Sequence, residues 1–275
     1  MDTMDTVTVN GIRLEYEIRG SGEPVLLISP VLADGFLPLV TEPALNGCHQ
    51  LIRYHKRGWG GSTHTPGPVS IADHAADAIA LLDRLGIDRV HVAGHSSGAA
   101  VAAQLGQDHP DRVATVALLE LSLLSVPAGA AFFAQVAPAF EAYADGDAER
   151  ALRLFMPVVS GMDWDRCRTL LDERVPGSVT QAAKDADTFF GIELPSLSEW
   201  RFGPDHAAGI RLPVLSLLGS ATRPLWVEVA DFLRSHVPDV EEQVVDGVGH
   251  LLHIERSQPV AAAMARFFER HPIVS

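Results

Sequence analysis

Gly94-His95-Ser96-Ser97-Gly98 stands between Arg89-Val90-His91-Val92-Ala93, an apolar run of strand length, and the alanine-rich stretch Ala99-Ala-Val-Ala-Ala-Gln-Leu-Gly-Gln107. The flanks predict a buried strand and a close-packed helix, so this G-x-S-x-G pattern reads as the sharp turn between them with Ser96 at its apex. Glycine at 94 and 98 is expected because a Cβ would collide where the helix leaves the strand so abruptly. The helix N-terminus behind the turn favours developing negative charge. In that setting Ser96 is predicted to be a nucleophile. An ordinary Gly-Ser turn is the plain alternative, and the flanking elements argue against it.

Working outward, Thr6 to Ile18 predicts two strands turning at Asn10-Gly11, a strong hairpin dipeptide. Pro24 to Ser29 is apolar without polar alternation, the pattern of a strand covered on both faces. Gln50–Tyr54 predicts a strand and Ile71–Leu85 a helix; the alternation continues through the Ser96 turn to a strand at Val113–Leu119. Repeated strand-helix-strand units imply right-handed crossovers and a mostly parallel sheet with helices on both faces. After Glu120 the pattern breaks. From 126 to 209 several short helices are expected, separated by Pro127, Pro138, Pro157, Pro176 and Pro195. Sheet-like sequence resumes at Leu212–Leu218, followed by a helix at Pro224–His236, a strand at Val240–Val245 and a helix at Pro259–Arg270. The division is therefore a core of 1–125 and 210–275 with a helical cap of 126–209 inserted in it.

With 275 residues, 47% of them hydrophobic, the chain can fill a substantial core. Its formal net charge of -14 argues against a nucleic-acid or anionic-membrane surface. Cys48 and Cys167 suggest neither a disulfide framework nor a metal site, and both are read as packing residues. The first residues, Met-Asp-Thr-Met-Asp-Thr, do not read as a signal peptide, and no run is long enough to span a membrane, so a cytoplasmic location is expected. Monomer and homodimer both remain open.

These landmarks, in order, resemble those of the α/β-hydrolase superfamily over essentially the whole length. They are the initial hairpin, the strand ending at Ser29-Pro30, the loop Arg57-Gly58-Trp59-Gly60-Gly61-Ser62, the Gly94–Gly98 turn, the cap, and Gly247-Val248-Gly249-His250 near the C-terminus. The resemblance implies that His250 is the general base. His253 is a decoy three residues on, and His95 is expected to pack or cap. Relatives commonly place an aspartate after the penultimate strand, but here that strand runs into Gly219-Ser220-Ala221-Thr222-Arg223-Pro224. A triad needs an anion to orient and stabilise the imidazole. Glu120 is the first candidate, because it ends a strand and the carboxyl ends of parallel strands open onto one crevice; Asp246 and Glu228 are the alternatives. A glutamate 24 residues after the nucleophile is similar to the arrangement in fungal zearalenone lactonases. By family position the oxyanion would be held by the backbone N–H groups of Ser97 and Val31, the latter standing where relatives commonly have His-Gly; only the backbone of Ser97 is assigned a role.

The expected function is a serine hydrolase cleaving a carboxylic ester or lactone through an acyl-enzyme, a bulky and mostly uncharged one such as the macrolactone zearalenone being the substrate the cap suggests, with no metal or organic cofactor. A serine at the turn argues against epoxide-hydrolase or dehalogenase chemistry, which in this superfamily uses aspartate there. A ligand receptor and a cofactor-free oxygenase or lyase on the same fold are the competing readings. Residues 126–209 are rich in aromatic and methionine side chains, among them Phe132, Phe155, Met156, Phe189, Phe190 and Trp200. Most are expected to be core and the remainder to line the crevice over Ser96.

Overall fold

The computed structural model describes residues 4–273; residues 1–3, part of the N-terminal stretch read above for a signal peptide, lie outside them. The chain opens with β1 (Asp5–Val9) and β2 (Ile12–Arg19), paired antiparallel with Val9 opposite Ile12. Asn10 and Gly11 make the turn between them at φ 46° and 77°, the positive values that an Asn-Gly hairpin supplies. There follow β3 (Glu23–Ile28), the single-turn helices α1 (Leu37–Val40) and α2 (Pro43–Asn46), β4 (His49–Tyr54), α3 (Ile71–Leu85), β5 (Val90–His95), α4 (Ser97–Asp108) and β6 (Val113–Leu119). After the intervening helices come β7 (Val214–Gly219), with β8 (Val240–Val245) as the last strand.

These strands form one eight-stranded sheet in the order β1-β2-β4-β3-β5-β6-β7-β8. Pairing from β4 through β3 to β8 is parallel; β2 pairs antiparallel with both β1 and β4, so it alone runs against the rest. Both faces of the parallel part are covered. Leu26 and Ile28 of β3 point into one core, shared with α3 and α4, while Val25 and Leu27 point into the other. This is why β3, β5 and β6 carry no polar alternation. α3 begins with a capping box in which the Ser70 hydroxyl accepts from the Asp73 amide while the Asp73 carboxylate accepts from the Ser70 amide, and it ends at Gly86 with φ 68°.

Between β6 and β7 lie α5 (Ala128–Ala144), α6 (Ala148–Ser160), α7 (Trp164–Arg174), α8 (Ser178–Lys184), α9 (Ala186–Thr188), a π-helical turn at Phe189–Glu193, α10 (Leu194–Glu199) and α11 (Pro204–Gly209). Two of the expected breaks are absent, since Pro138 lies inside α5 and Pro157 inside α6. The two helices pack extensively on each other and bury Val136, Ala139, Phe155 and Val159. That packing carries each helix through its proline, because tertiary burial outweighs the one lost backbone bond. Pro127 and Pro195 do stand at helix starts.

The core closes with α12 (Pro224–His236) between β7 and β8, then α13 (Leu252–Glu255) and α14 (Ser257–Arg270). α14 supplies Val260, Met264, Phe267 and Phe268 to the second core. Cys167 is fully buried in α7, but Cys48 is exposed beside β4 and is not a packing residue. Among the described residues no helix is long and apolar enough to cross a membrane.

Candidate active site

Ser96 sits between β5 and α4 with φ 55° and ψ -119°, a conformation that β-carbon residues rarely adopt. The two glycines of the motif make it possible. A Cβ on Gly94 would lie 2.2 Å from the Gly98 carbonyl oxygen, and one on Gly98 would lie 2.0 Å from that of Ile28. The backbone of the turn therefore packs directly on β3 and on itself. The Ser96 amide donates to Leu119 O at 3.0 Å, which ties the apex to the end of β6.

One residue beyond β6, Glu120 also has a positive φ, of 47°. Its carboxylate is buried and fully engaged. Oε1 accepts the Gly219 amide at 2.8 Å, while Oε2 accepts the Thr222 hydroxyl at 2.8 Å and faces His250 Nδ1 at 2.7 Å. Burial pushes the Glu120 carboxyl up to about 7, opposed by the bonds from Gly219 and Thr222. Burial also drives the His250 imidazole down to about 3. The Trp226 ring stacks on His250 with centroids 3.7 Å apart, sealing that side from water.

The sequence candidates thus fall into two sets. Ser96 and His250 line one pocket, Glu120 is bonded to His250 behind it, and Val31 and Ser97 line the pocket beside Ser96. The alternative acids lie elsewhere: Asp246 is exposed and bonds Ser220, and Glu228 accepts the Ala128 amide at the start of α5. His253 is buried, its ring packed on Phe36 and on His95. His95 bonds the His250 carbonyl oxygen through Nε2 at 2.8 Å, so it packs, as expected, against the backbone of His250.

Four residues at the site escaped sequence reasoning. Ser122 Oγ lies 2.9 Å from Ser96 Oγ, a direct polar neighbour of the nucleophile candidate. Its only sequence signal is closeness to Glu120. Thr222 supplies a donor from the loop that lacks an aspartate. Glu193 accepts from the Ser97 hydroxyl, and Lys56 pairs with Glu193 at 2.6 Å. The Ser97 hydroxyl is therefore engaged in a hydrogen bond of its own.

The pocket itself is apolar. Pro30, Val31, Leu32, Leu124, Leu194, Leu197 and Leu251 line it with Phe132, Phe155, Met156, Phe189 and Trp226. Phe132, Phe155, Met156 and Phe189 are the insertion's aromatic and methionine side chains that face it; the rest of that set lies outside its lining. With a cavity volume of about 30 Å³ it is a narrow slot. Among the described residues no group of three or more His, Cys, Asp or Glu side chains is placed to hold a metal ion.

The match to known families is decided by residues 36–257, which fit the model described as the alpha/beta hydrolase fold. The chain belongs to the alpha/beta hydrolase family. Relatives matching this alpha/beta hydrolase over nearly its full length include the soluble epoxide hydrolase of Corynebacterium sp., 27% identical over 94% of this chain and 95% of that protein. A protein of Azorhizobium caulinodans named as a carbamate hydrolase, RutD, is 35% identical over 38% of this chain, and the chain spans only 40% of that relative's length. Among solved structures, a thermophilic esterase from Thermogutta terrifontis superposes with a TM-score of 0.81 at 21% identity, covering 98% of each chain. The enol-lactonase from Burkholderia xenovorans LB400 superposes with a TM-score of 0.77 at 21% identity, covering 96% of this chain and all of that one.

Proposed function

We propose that this alpha/beta hydrolase is a serine hydrolase of apolar carboxylic esters or lactones, with Ser96 as nucleophile, His250 as general base and Glu120 as the acid that orients it. The observation that carries the reading is the 2.7 Å contact between His250 Nδ1 and a fully hydrogen-bonded, buried Glu120, behind a pocket that Ser96 and His250 share. Glu120 accepts the Nδ1 proton, which leaves Nε2 of the neutral imidazole as the acceptor.

Ser96 Oγ attacks the carbonyl carbon as Nε2 takes its proton, and the carbonyl oxygen becomes an oxyanion. The amides of Ser97, at the first position of α4, and Val31 are assigned to hold it; the Ser97 N–H has no partner within its own helix, which is what frees it for this use. Collapse of the tetrahedral species breaks the ester bond, and His250 returns its proton to the departing alkoxide. Water, deprotonated in turn by His250, then releases the acid and restores Ser96.

The apolar lining supports an uncharged acyl group. Its narrowness supports a small to medium chain in preference to a bulky ring, and a macrolactone such as zearalenone would require the slot to widen. The full-length likeness to an epoxide hydrolase favours a different substrate, but a serine at position 96 supplies the acyl-enzyme chemistry that an ester needs. The test is turnover of p-nitrophenyl butyrate with labelling of Ser96 by a fluorophosphonate. Stoichiometric labelling and a loss of about 10³-fold or more in kcat for Ser96→Ala are expected; full activity in Ser96→Ala ends the proposal.

A further inference from the structure

The loop after β4, Lys56-Arg57-Gly58-Trp59-Gly60, has no part in the reading above, yet it is fastened to the insertion at one place. Thr188 Oγ1 donates to Gly58 O at 2.7 Å, and the Gly60 amide donates to Asp185 Oδ2 at 3.0 Å. At the centre is Glu193, 1% exposed. Lys56 Nζ donates to its Oε2 at 2.6 Å, Trp59 Nε1 donates to the same oxygen at 3.0 Å, and the Ser97 hydroxyl donates to Oε1. Lys56 and Ser97 are each 3% exposed and Trp59 is 1%.

A carboxylate so thoroughly removed from water is costly unless both oxygens are satisfied and a cation is near. Lys56, Trp59 and Ser97 all stand outside the run of helices that carries Glu193, so the strands and loops around Ser96 determine where this side chain sits. The backbone is shaped for that purpose. Phe189–Glu193 is a π-helical turn closed by the Leu194 amide onto Phe189 O, and such turns, with their extra residue, recur at functional sites. Anchorage alone would need only Lys56 and Trp59. The third donor is the residue directly after Ser96, the one whose amide is assigned to the oxyanion.

We propose that Glu193 is a positioning residue for the oxyanion site: by gripping the Ser97 hydroxyl it fixes the Ser96–Ser97 peptide, and Lys56 holds the grip charged and in place. This rests on the serine-hydrolase reading above. A bond from a hydroxyl to a paired carboxylate is among the stronger kinds, and it restrains the Ser97 side chain. Oxyanion donors act only when already aimed, so loosening one costs rate more than substrate affinity. Phe189, at the start of the same π-helical turn, and Leu194, directly after it, stand on the pocket wall.

The experiment measures kcat and KM for p-nitrophenyl butyrate, with melting curves, for wild type, Ser96→Ala, Ser97→Ala, Glu193→Gln and the Ser97→Ala/Glu193→Gln double variant. Loss of one oxyanion donor costs about 10²- to 10³-fold, so misaiming one is expected to cost about tenfold in kcat. Ser97→Ala and Glu193→Gln should each show this with KM changed less than about twofold, and the double variant should fall no more than about twofold below the worse single, because both break one connection. Three results overturn the proposal: Ser97→Ala within twofold of wild type in kcat, a loss confined to KM, or losses that multiply. Should Glu193→Gln fail to melt cooperatively, Ser97→Ala, which removes one hydroxyl, decides alone by the same kcat and KM criteria. An active Ser96→Ala removes the serine reading itself, whereas an inactive Ser96→Ala beside an unimpaired Ser97→Ala removes only the role given to Glu193.

Discussion

Thr222 and His250 meet on one oxygen: Glu120 Oε2 accepts the Thr222 hydroxyl at 2.8 Å and faces His250 Nδ1 at 2.7 Å. The loop 219–224, which carries no carboxylate of its own, is a donor loop for the acid proposed one strand earlier. Gly219 completes the exchange with its amide on Oε1. Removing the carboxylate should therefore be felt at His250 while leaving the loop intact. Glu120→Gln is expected to keep the fold and lower kcat by about 10²- to 10⁴-fold, through a wrong tautomer or an unsupported imidazolium. Asp246→Asn and Glu228→Gln, whose carboxylates bond Ser220 and the Ala128 amide instead, should lose less than about threefold. Steady-state kinetics with circular dichroism on all three variants check this, and a large loss at Asp246 would move the acid there.

Thr222→Val isolates the donor. A hydrogen bond to a carboxylate favours its charged form, so deleting this one should raise the Glu120 pKa further. The acid limb of kcat/KM should accordingly move to higher pH, by up to about one unit, with kcat at alkaline pH reduced about threefold to tenfold. A limb that moves to lower pH would contradict the assignment of the charge.

The wild-type profile follows from the same pair. Glu120 is raised to about 7 and His250 lowered to about 3, so a proton added as pH falls goes first to the pair as a unit. Either resting place for that proton stops the reaction. An imidazolium has no free lone pair, and a protonated Glu120 donates to Nδ1 and leaves Nε2 carrying the hydrogen. kcat/KM should thus fall as pH drops through about 7, and the limb of Glu120→Gln should lie lower, set by a histidine that burial alone holds down. Profiles from pH 4 to 9 for both proteins test the order of the two limbs.

Much of this arrangement is legible in the chain because β3, β6 and β7 are mostly apolar runs and the Ser96 turn is flanked by unlike elements. The single-turn helices α1, α2 and α13 are not, since four residues carry no period. Nor does the sequence reveal that Pro138 and Pro157 lie within helices, a matter decided by α5 packing on α6. The Lys56–Glu193 pair joins residues 137 apart, and its one local sign is a lone acid after Phe189-Phe190-Gly191-Ile192, where an exposed helix would show more charge.

Gly94→Ala and Gly98→Ala test the turn by itself. Each new Cβ would meet backbone oxygen at 2.2 Å or 2.0 Å, and backbone cannot swing aside as a side chain does. Each variant should lose about 3 kcal/mol of stability or fail to accumulate as folded protein. Thermal melts that match wild type would mean that the elbow is less tightly packed on β3 than described.

Acyl chain length tests the slot. Leu124, Phe132, Phe155, Phe189, Leu194 and Trp226 surround Ser96 with apolar surface, and each methylene they take from water contributes about 0.8 kcal/mol, near fourfold in kcat/KM. From acetate to butyrate, two methylenes, the p-nitrophenyl ester should therefore improve by about fifteenfold. The gain must stop where the slot closes, so octanoate and an aromatic macrolactone should fall below butyrate. Phe155 is the residue to cut, because its ring packs edge-on against Phe189 with centroids 4.8 Å apart and so blocks the far wall. Phe155→Ala should raise the octanoate-to-butyrate ratio of kcat/KM by about fivefold, a change of the size that one or two methylenes make. Acetate as the best substrate would mean that the insertion seals the pocket against any chain. A macrolactone as the best would mean that the slot opens in solution to a width this conformation does not have.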